Sequence, residues 1–117
     1  MQEIHQLHAD LCSALADPRR IMILYALAER PRHVGDLVNE LQISQPATSR
    51  HLKILRERGL VSARREGANV IYSLVDRRLI EALDLLRAVL RDRISHRATI
   101  MEAVPPQTNP TDDEEKL

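Results

Sequence analysis

The sequence contains no phenylalanine, no tryptophan and only two tyrosines in 117 residues. That excludes the aromatic platform on which single-stranded binders stack bases. A lone cysteine, Cys12, excludes an internal disulfide and suits a reduced, cytoplasmic setting. Three glycines leave no room for a glycine-rich phosphate loop, and no acid–base pair stands out, so an enzyme is not expected. No apolar run approaches the roughly 18–20 residues of a membrane span. The opening MQEIHQLHADL is charged early and lacks the apolar stretch of a secretory signal. Net charge is missing too: 17 basic residues stand against 17 acidic ones. As a total, this argues against a nucleic-acid partner, but a total does not say where the charges sit.

What is present fits one soluble domain, with 44% hydrophobic and 29% charged residues. The domain is expected over residues 1–103. From Val104 the chain reads VPPQTNPTDDEEKL, with three prolines, four acids and little that is apolar, so residues 104–117 are expected to be a disordered tail.

Apolar spacing predicts the elements. Ile4, Leu7, Leu11 and Leu15 recur every three or four residues and predict a helix over Gln2 to Leu15. Asp17-Pro18 is a helix start, and the following Arg20 to Ala28 is apolar nearly all round, as a buried spine would be, until Pro31. Val34 to Leu41 is a short third helix, with Val34, Leu37, Val38 and Leu41 inward. After a turn at Gln42-Ile43, Ser44 caps a fourth helix with Pro46 in its first turn. That helix runs to about Arg58 with Ala47, Leu52 and Leu55 inward, and Gly59 stops it. The period then changes. Leu60 to Arg65 and Val70 to Val75 are short strands around a hairpin turn at Glu66-Gly67-Ala68-Asn69. A long last helix runs from Arg77 to about Ile100.

This order, two helices, a helix-turn-helix, a hairpin and a helix, gives a mostly α fold: a winged helix-turn-helix with a helix added at each end. The chain resembles the ArsR/SmtB transcriptional repressors. The resemblance rests on LADPRRIMIL (Leu15 to Leu24), SQPATSRHLKILRERGLV (Ser44 to Val61) and RREGANVIYSL (Arg64 to Leu74), and extends over about residues 5–95. It implies a homodimeric repressor that leaves its operator when an effector binds.

The residues of the fourth helix support the same reading. Ser44 begins it. Gln45, Thr48, Ser49 and Lys53 are expected on the face away from Ala47, Leu52 and Leu55. Glutamine pairs bidentately with adenine in the major groove, and serine and threonine reach bases or phosphates. Arg50, Lys53, Arg56 and Arg58 are candidates for backbone phosphates, with His51 as a further donor, and Arg64 and Arg65 place two cations on the wing. A solvated basic helix face is the alternative for these charges.

The last helix carries Leu79, Leu83, Leu86 and Leu90 in one stripe, widened by Ile80, Ala82, Leu85 and Val89. So apolar an end helix is expected to pack on its counterpart in a second copy, together with Leu7 and Leu11 of the first helix, unless it is core of its own chain. A two-fold dimer presents two reading helices about one DNA turn apart and requires a near-palindromic operator.

Two metal sites known in the family do not carry over. Where it has Cys-x-Cys-Asp-Leu, this chain has His33-Val34-Gly35-Asp36-Leu37. Where the last helix has Asp-x-His and His-x-x-Glu, it has Asp76-Arg77-Arg78 and Val89 followed by Asp92. The family's cysteine-pair sensors need one cysteine more than Cys12. One set remains. His5, His8 and Cys12 fall at about 100°, 40° and 80° around the first helix relative to Ile4, a narrow arc. Two imidazoles and a thiolate suit nickel, zinc or cobalt, with His96, Asp84 or Asp92 as a fourth ligand. The alternative is two partly exposed histidines beside a small buried cysteine.

A winged helix used only for protein contacts, as a co-regulator, is the rival class, and it predicts an apolar or acidic reading face. Charge placement speaks against it. Between Ser44 and Glu66 there are six basic and two acidic residues. Without residues 104–117 the chain holds 16 basic and 13 acidic residues, a net of +3. Zero is therefore an average over a basic segment and an acidic tail, and deleting the tail is expected to tighten non-specific DNA binding at low salt.

Overall fold

The computed structural model describes residues 2–103. The expected tail, residues 104–117, and the side chain of Ile4 lie outside the described residues. The chain divides into two compact units, one ending at Ile80 and one beginning at Glu81, each described by itself.

The first unit opens with α1 (Gln2–Ala14) and α2 (Pro18–Glu29). The Asp17 carboxylate caps α2 by accepting from the Arg19 amide at 2.8 Å, and Pro18 occupies the first helical position, where its missing N–H costs nothing. Ile23, Leu24, Ala26 and Leu27 make α2 the spine of the core, although Met22 is exposed, so the helix is not apolar-buried all round. After Pro31, two residues form a strand that the sequence did not reveal, β1 (Arg32–His33). Helix α3 (Val34–Leu41) follows and ends on Gln42, which takes the left-handed conformation with φ 57°. Helix α4 (Gln45–Glu57) comes next. Gly59, at φ 76°, closes it. Its amide donates to the Arg56 carbonyl and the Leu60 amide to the Leu55 carbonyl, each at 2.9 Å, which is the paired bonding of a Schellman end.

Strands β2 (Val61–Glu66) and β3 (Asn69–Leu74) form the hairpin, in register from Val61 opposite Leu74 to Glu66 opposite Asn69. Gly67 turns it with φ 61° while Ala68 stays at negative φ, the pattern of a II′ turn. The hairpin is not two-stranded. Arg32 pairs with Tyr72 and His33 with Ile71, giving an antiparallel sheet in the order β1-β3-β2. Arg32 is buried, and its guanidinium is matched by Glu29 at 2.6 Å and by Glu40, so the buried cation is not left alone. Ala14, Leu37, Ala47, Leu52, Leu55, Val61 and Ile80 complete the buried apolar set of this unit. Each large aliphatic side chain among them contributes about 1.5–3 kcal/mol.

The last helix, α5 (Arg78–Ala103), starts one residue after the expected position and supplies all of the described part of the second unit. Among the described residues no helix is long and apolar enough to cross a membrane.

Candidate nucleic-acid interface

The approach to α4 is set by two short devices. Gln42 turns the chain sharply after α3, and its side chain donates to the Asn39 carbonyl at 2.6 Å. Ser44 then caps α4, its hydroxyl accepting from the Ala47 amide at 3.3 Å. The Ser44 side chain is thus engaged with the helix it starts. Helices α3 and α4 pack on one another and α4 packs on α2, which fixes one face of α4 inward and leaves the other to solvent.

Gln45, Ser49, Arg50, Lys53, Arg56 and Arg58 are exposed, as expected of a face free to approach a groove. Two expected members are not on that face. Thr48 is fully buried, its hydroxyl donating to the Ser44 carbonyl at 2.9 Å, and His51 is 5% exposed. Thr48 sits one turn before Leu52, and His51 one turn from both Ala47 and Leu55, in the rows i, i+3 and i+4 that a helix buries together. Sorting residues by polarity concealed this. Counting turns back from Leu52 and Leu55 would have placed Thr48 and His51 inside.

His51 instead faces the start of α2. Its Nδ1 lies 3.5 Å from an Arg20 nitrogen and its Nε2 3.9 Å from the Asp17 carboxylate. Burial pushes the imidazole below its usual pKa; Asp17 pulls it back up, and Arg19, Arg20 and Arg50 push it down. The bonds from Arg19 hold the Asp17 carboxyl at about 2.

On the wing, Arg64 and Arg65 are both exposed, near the tip of the hairpin. Arg64 pairs with Glu66 at 3.1 Å. Among the described residues Arg50, Lys53, Arg56, Arg58 and Arg65 make no ion pair, so five cations of this segment stand unneutralised.

The expected metal ligands do not come together. Among the described residues no group of three or more His, Cys, Asp or Glu is placed to hold a metal ion. His5, His8 and Cys12 are exposed on α1, and His96 is exposed on α5. The arc shared by the first three was real in angle but not in height. Seven residues of helix rise about 10 Å, so in the single chain His5 and Cys12 share a face of α1 without converging on one point. Cys12 is not the small buried filler of the alternative either.

The apolar stripe of α5 splits. Leu83 is buried in its own chain and Leu79 is half-buried, so neither is available in the way expected of an interface residue. Leu86 and Leu90 are more than half exposed, as are Leu85 and Ile94, and Leu7 and Leu11 are exposed on α1.

A capped helix-turn-helix, a three-stranded wing and an unpaired cationic face define a winged helix-turn-helix regulator. Residues 17–63 match the model of the arsR family of bacterial regulatory proteins. The chain is 36% identical over 102 residues to the uncharacterized HTH-type transcriptional regulator Rv0081 of Mycobacterium tuberculosis, covering 86% of this chain and 90% of that one. The crystal structure of Rv0081 matches with a TM-score of 0.73 at 38% identity, over 81% of this chain and 96% of that one. The HTH-type transcriptional repressor SmtB of the same organism is 44% identical over 78 residues, which cover 67% of this chain and 58% of SmtB. A solution structure described as the homodimeric winged helix-turn-helix DNA-binding domain Mb0332 of Mycobacterium bovis matches at TM-score 0.72 and 28% identity, over 81% of this chain and 88% of that one. The protein belongs to the arsR family, a family of transcriptional regulators and not of enzymes.

Proposed function

We propose that this regulator is a homodimeric repressor that reads a near-palindromic duplex operator through the exposed face of α4 and holds the flanking backbone with its wing. The observation that carries this is the exposed row Gln45, Ser49, Arg50 and Lys53, flanked by cations without ion-pair partners among the described residues. Gln45 and Ser49 are the base-reading groups. Arg50, Lys53, Arg56, Arg58 and Arg65 are the groups that contact phosphates, which position without specifying. The face is neither apolar nor acidic, which disfavours a purely protein-binding winged helix. The exposed leucines of α5 and α1 support dimerisation, and the Mycobacterium bovis relative is described as a homodimer. A metal effector is left out of this reading, because among the described residues of the single chain no three ligands come together.

The test is a salt titration of binding to a duplex carrying the sequence upstream of this chain's own gene. With 6–10 phosphate contacts per dimer, affinity falls by about 10³–10⁵ between roughly 50 and 200 mM salt. No binding at low salt, or binding indifferent to salt, returns the fold to the protein-contact class.

A further inference from the structure

Arg20 lies in the first turn of α2, yet each of its nitrogens is directed at another helix. Its Nε donates to the Ala14 carbonyl at 2.7 Å and its Nη2 to the Ser13 carbonyl at 3.0 Å. Both carbonyls belong to the last turn of α1, where a helix runs out of amides and carries partial negative charge. The third nitrogen, Nη1, lies 3.5 Å from Nδ1 of His51 on the buried side of α4.

A guanidinium has donors only, so Nδ1 must accept, and the ring proton belongs on Nε2, on the side of the Asp17 carboxylate 3.9 Å away. One neutral tautomer accepts from Arg20 at Nδ1 and turns its N–H toward Asp17, too far for a hydrogen bond. The charged groups facing it are Asp17, Arg19 and Arg20 from the start of α2 and Arg50 from its own helix.

We propose that Arg20 is a positioning residue for DNA reading, tying the end of α1 to the reading helix through the unprotonated ring of His51. The proposal rests on the assignment of α4 as the reading helix. A second proton on His51 sets N–H against N–H and opens the tie. Base readout needs α4 held to a fraction of an ångström, whereas phosphate attraction does not. Opening the tie therefore costs discrimination and spares non-specific affinity.

The experiment has two arms. In the first, the affinity ratio between the upstream duplex and a scrambled duplex of equal length is measured at about pH 7.5 and about pH 5.5. The expected ratio for the wild-type protein falls on acidification, by less than about tenfold because burial holds the ring below its usual pKa. His51→Asn, which keeps an acceptor near the Nδ1 position and cannot titrate, holds a high ratio at both. Arg20→Gln is low at both, and Arg20→Lys, which keeps the charge but not the three-way fork, lies between and serves if Arg20→Gln does not fold. In the second arm, NMR titration of the His51 ring without DNA shows its pKa rising in Arg20→Gln, because a nearby cation is lost. A wild-type ratio in Arg20→Gln, or a His51→Asn profile that follows the wild type, overturns the proposal. A wild-type protein with no preference at either pH overturns the DNA assignment instead. The NMR arm then still judges the tie, and an unmoved His51 pKa in Arg20→Gln overturns it.

Discussion

Thr48 donates its hydroxyl to the Ser44 carbonyl at 2.9 Å, one turn back along α4, and the same oxygen receives the Thr48 amide at 2.9 Å. The hydroxyl is thus spent inside the helix. Thr48→Val removes it without orphaning its partner, since the amide bond remains. Stability changes by less than about 1 kcal/mol, and base discrimination is unchanged. Gln45→Ala, on the exposed face, relaxes discrimination by about 1–3 kcal/mol. Competition with base-substituted duplexes reads both, and a Thr48→Val protein with altered preference would show that α4 presents a different face.

Stability should depend on pH through His51. Its folded pKa lies below the ordinary 6.5, so below that pH the unfolded chain binds more protons than the folded one. Stability is therefore greatest above about 6.5 and declines as pH falls from there toward the folded value. Asp17 acts lower down. Its carboxyl is held at about 2 against 3.8, so its contribution is full above 3.8 and fades as pH drops toward 2. Urea midpoints across pH should show the upper decline flattened in His51→Asn and retained in Asp17→Asn.

How much of this was legible depended on how many residues spoke for each feature. Helices α2 and α4 announce themselves through Asp17-Pro18 and Ser44-x-Pro46, because caps are local chemistry. Strand β1 is two residues long and has no period to read. Arg32 was invisible as a core residue because its burial depends on Glu29 and Glu40, which only the fold brings to it. Thr48 and His51 were misplaced because residue type was allowed to outvote helical angle. On α1 angle was counted and rise was not: His5, His8 and Cys12 share an arc but do not converge in the single chain.

Replacing Leu86 and Leu90 together by glutamate should produce a monomer. Both are exposed in the single chain, so the substitutions need not disturb its core, while a two-fold interface would bury like charges against each other. Sedimentation should show half the mass. Affinity for the upstream duplex should fall by about 10²-fold or more, since the second half-site no longer benefits from tethering. An unchanged mass would move the interface off this stretch of α5.

Gln42→Gly should stabilise the protein. A non-glycine residue at φ 57° carries a left-handed penalty of about 1 kcal/mol or more, and the exposed bond to Asn39 that is lost offsets only part of the gain. A net gain of about 0.5–1 kcal/mol is expected by chemical denaturation, with DNA binding unaltered. Destabilisation would mean that the Gln42 side chain holds the turn.

Strand β1 determines where this chain tolerates changes of length. At Gly67-Ala68 an added residue lengthens an exposed turn and leaves every pair below it intact. Between Pro31 and Val34 an added residue exchanges the two faces of the strand, turning Arg32 outward and leaving Glu29 and Glu40 without their shared cation. Descendants of this sequence are thus free to vary the reach of the wing, but the spacing between α2 and α3 is locked by one arginine.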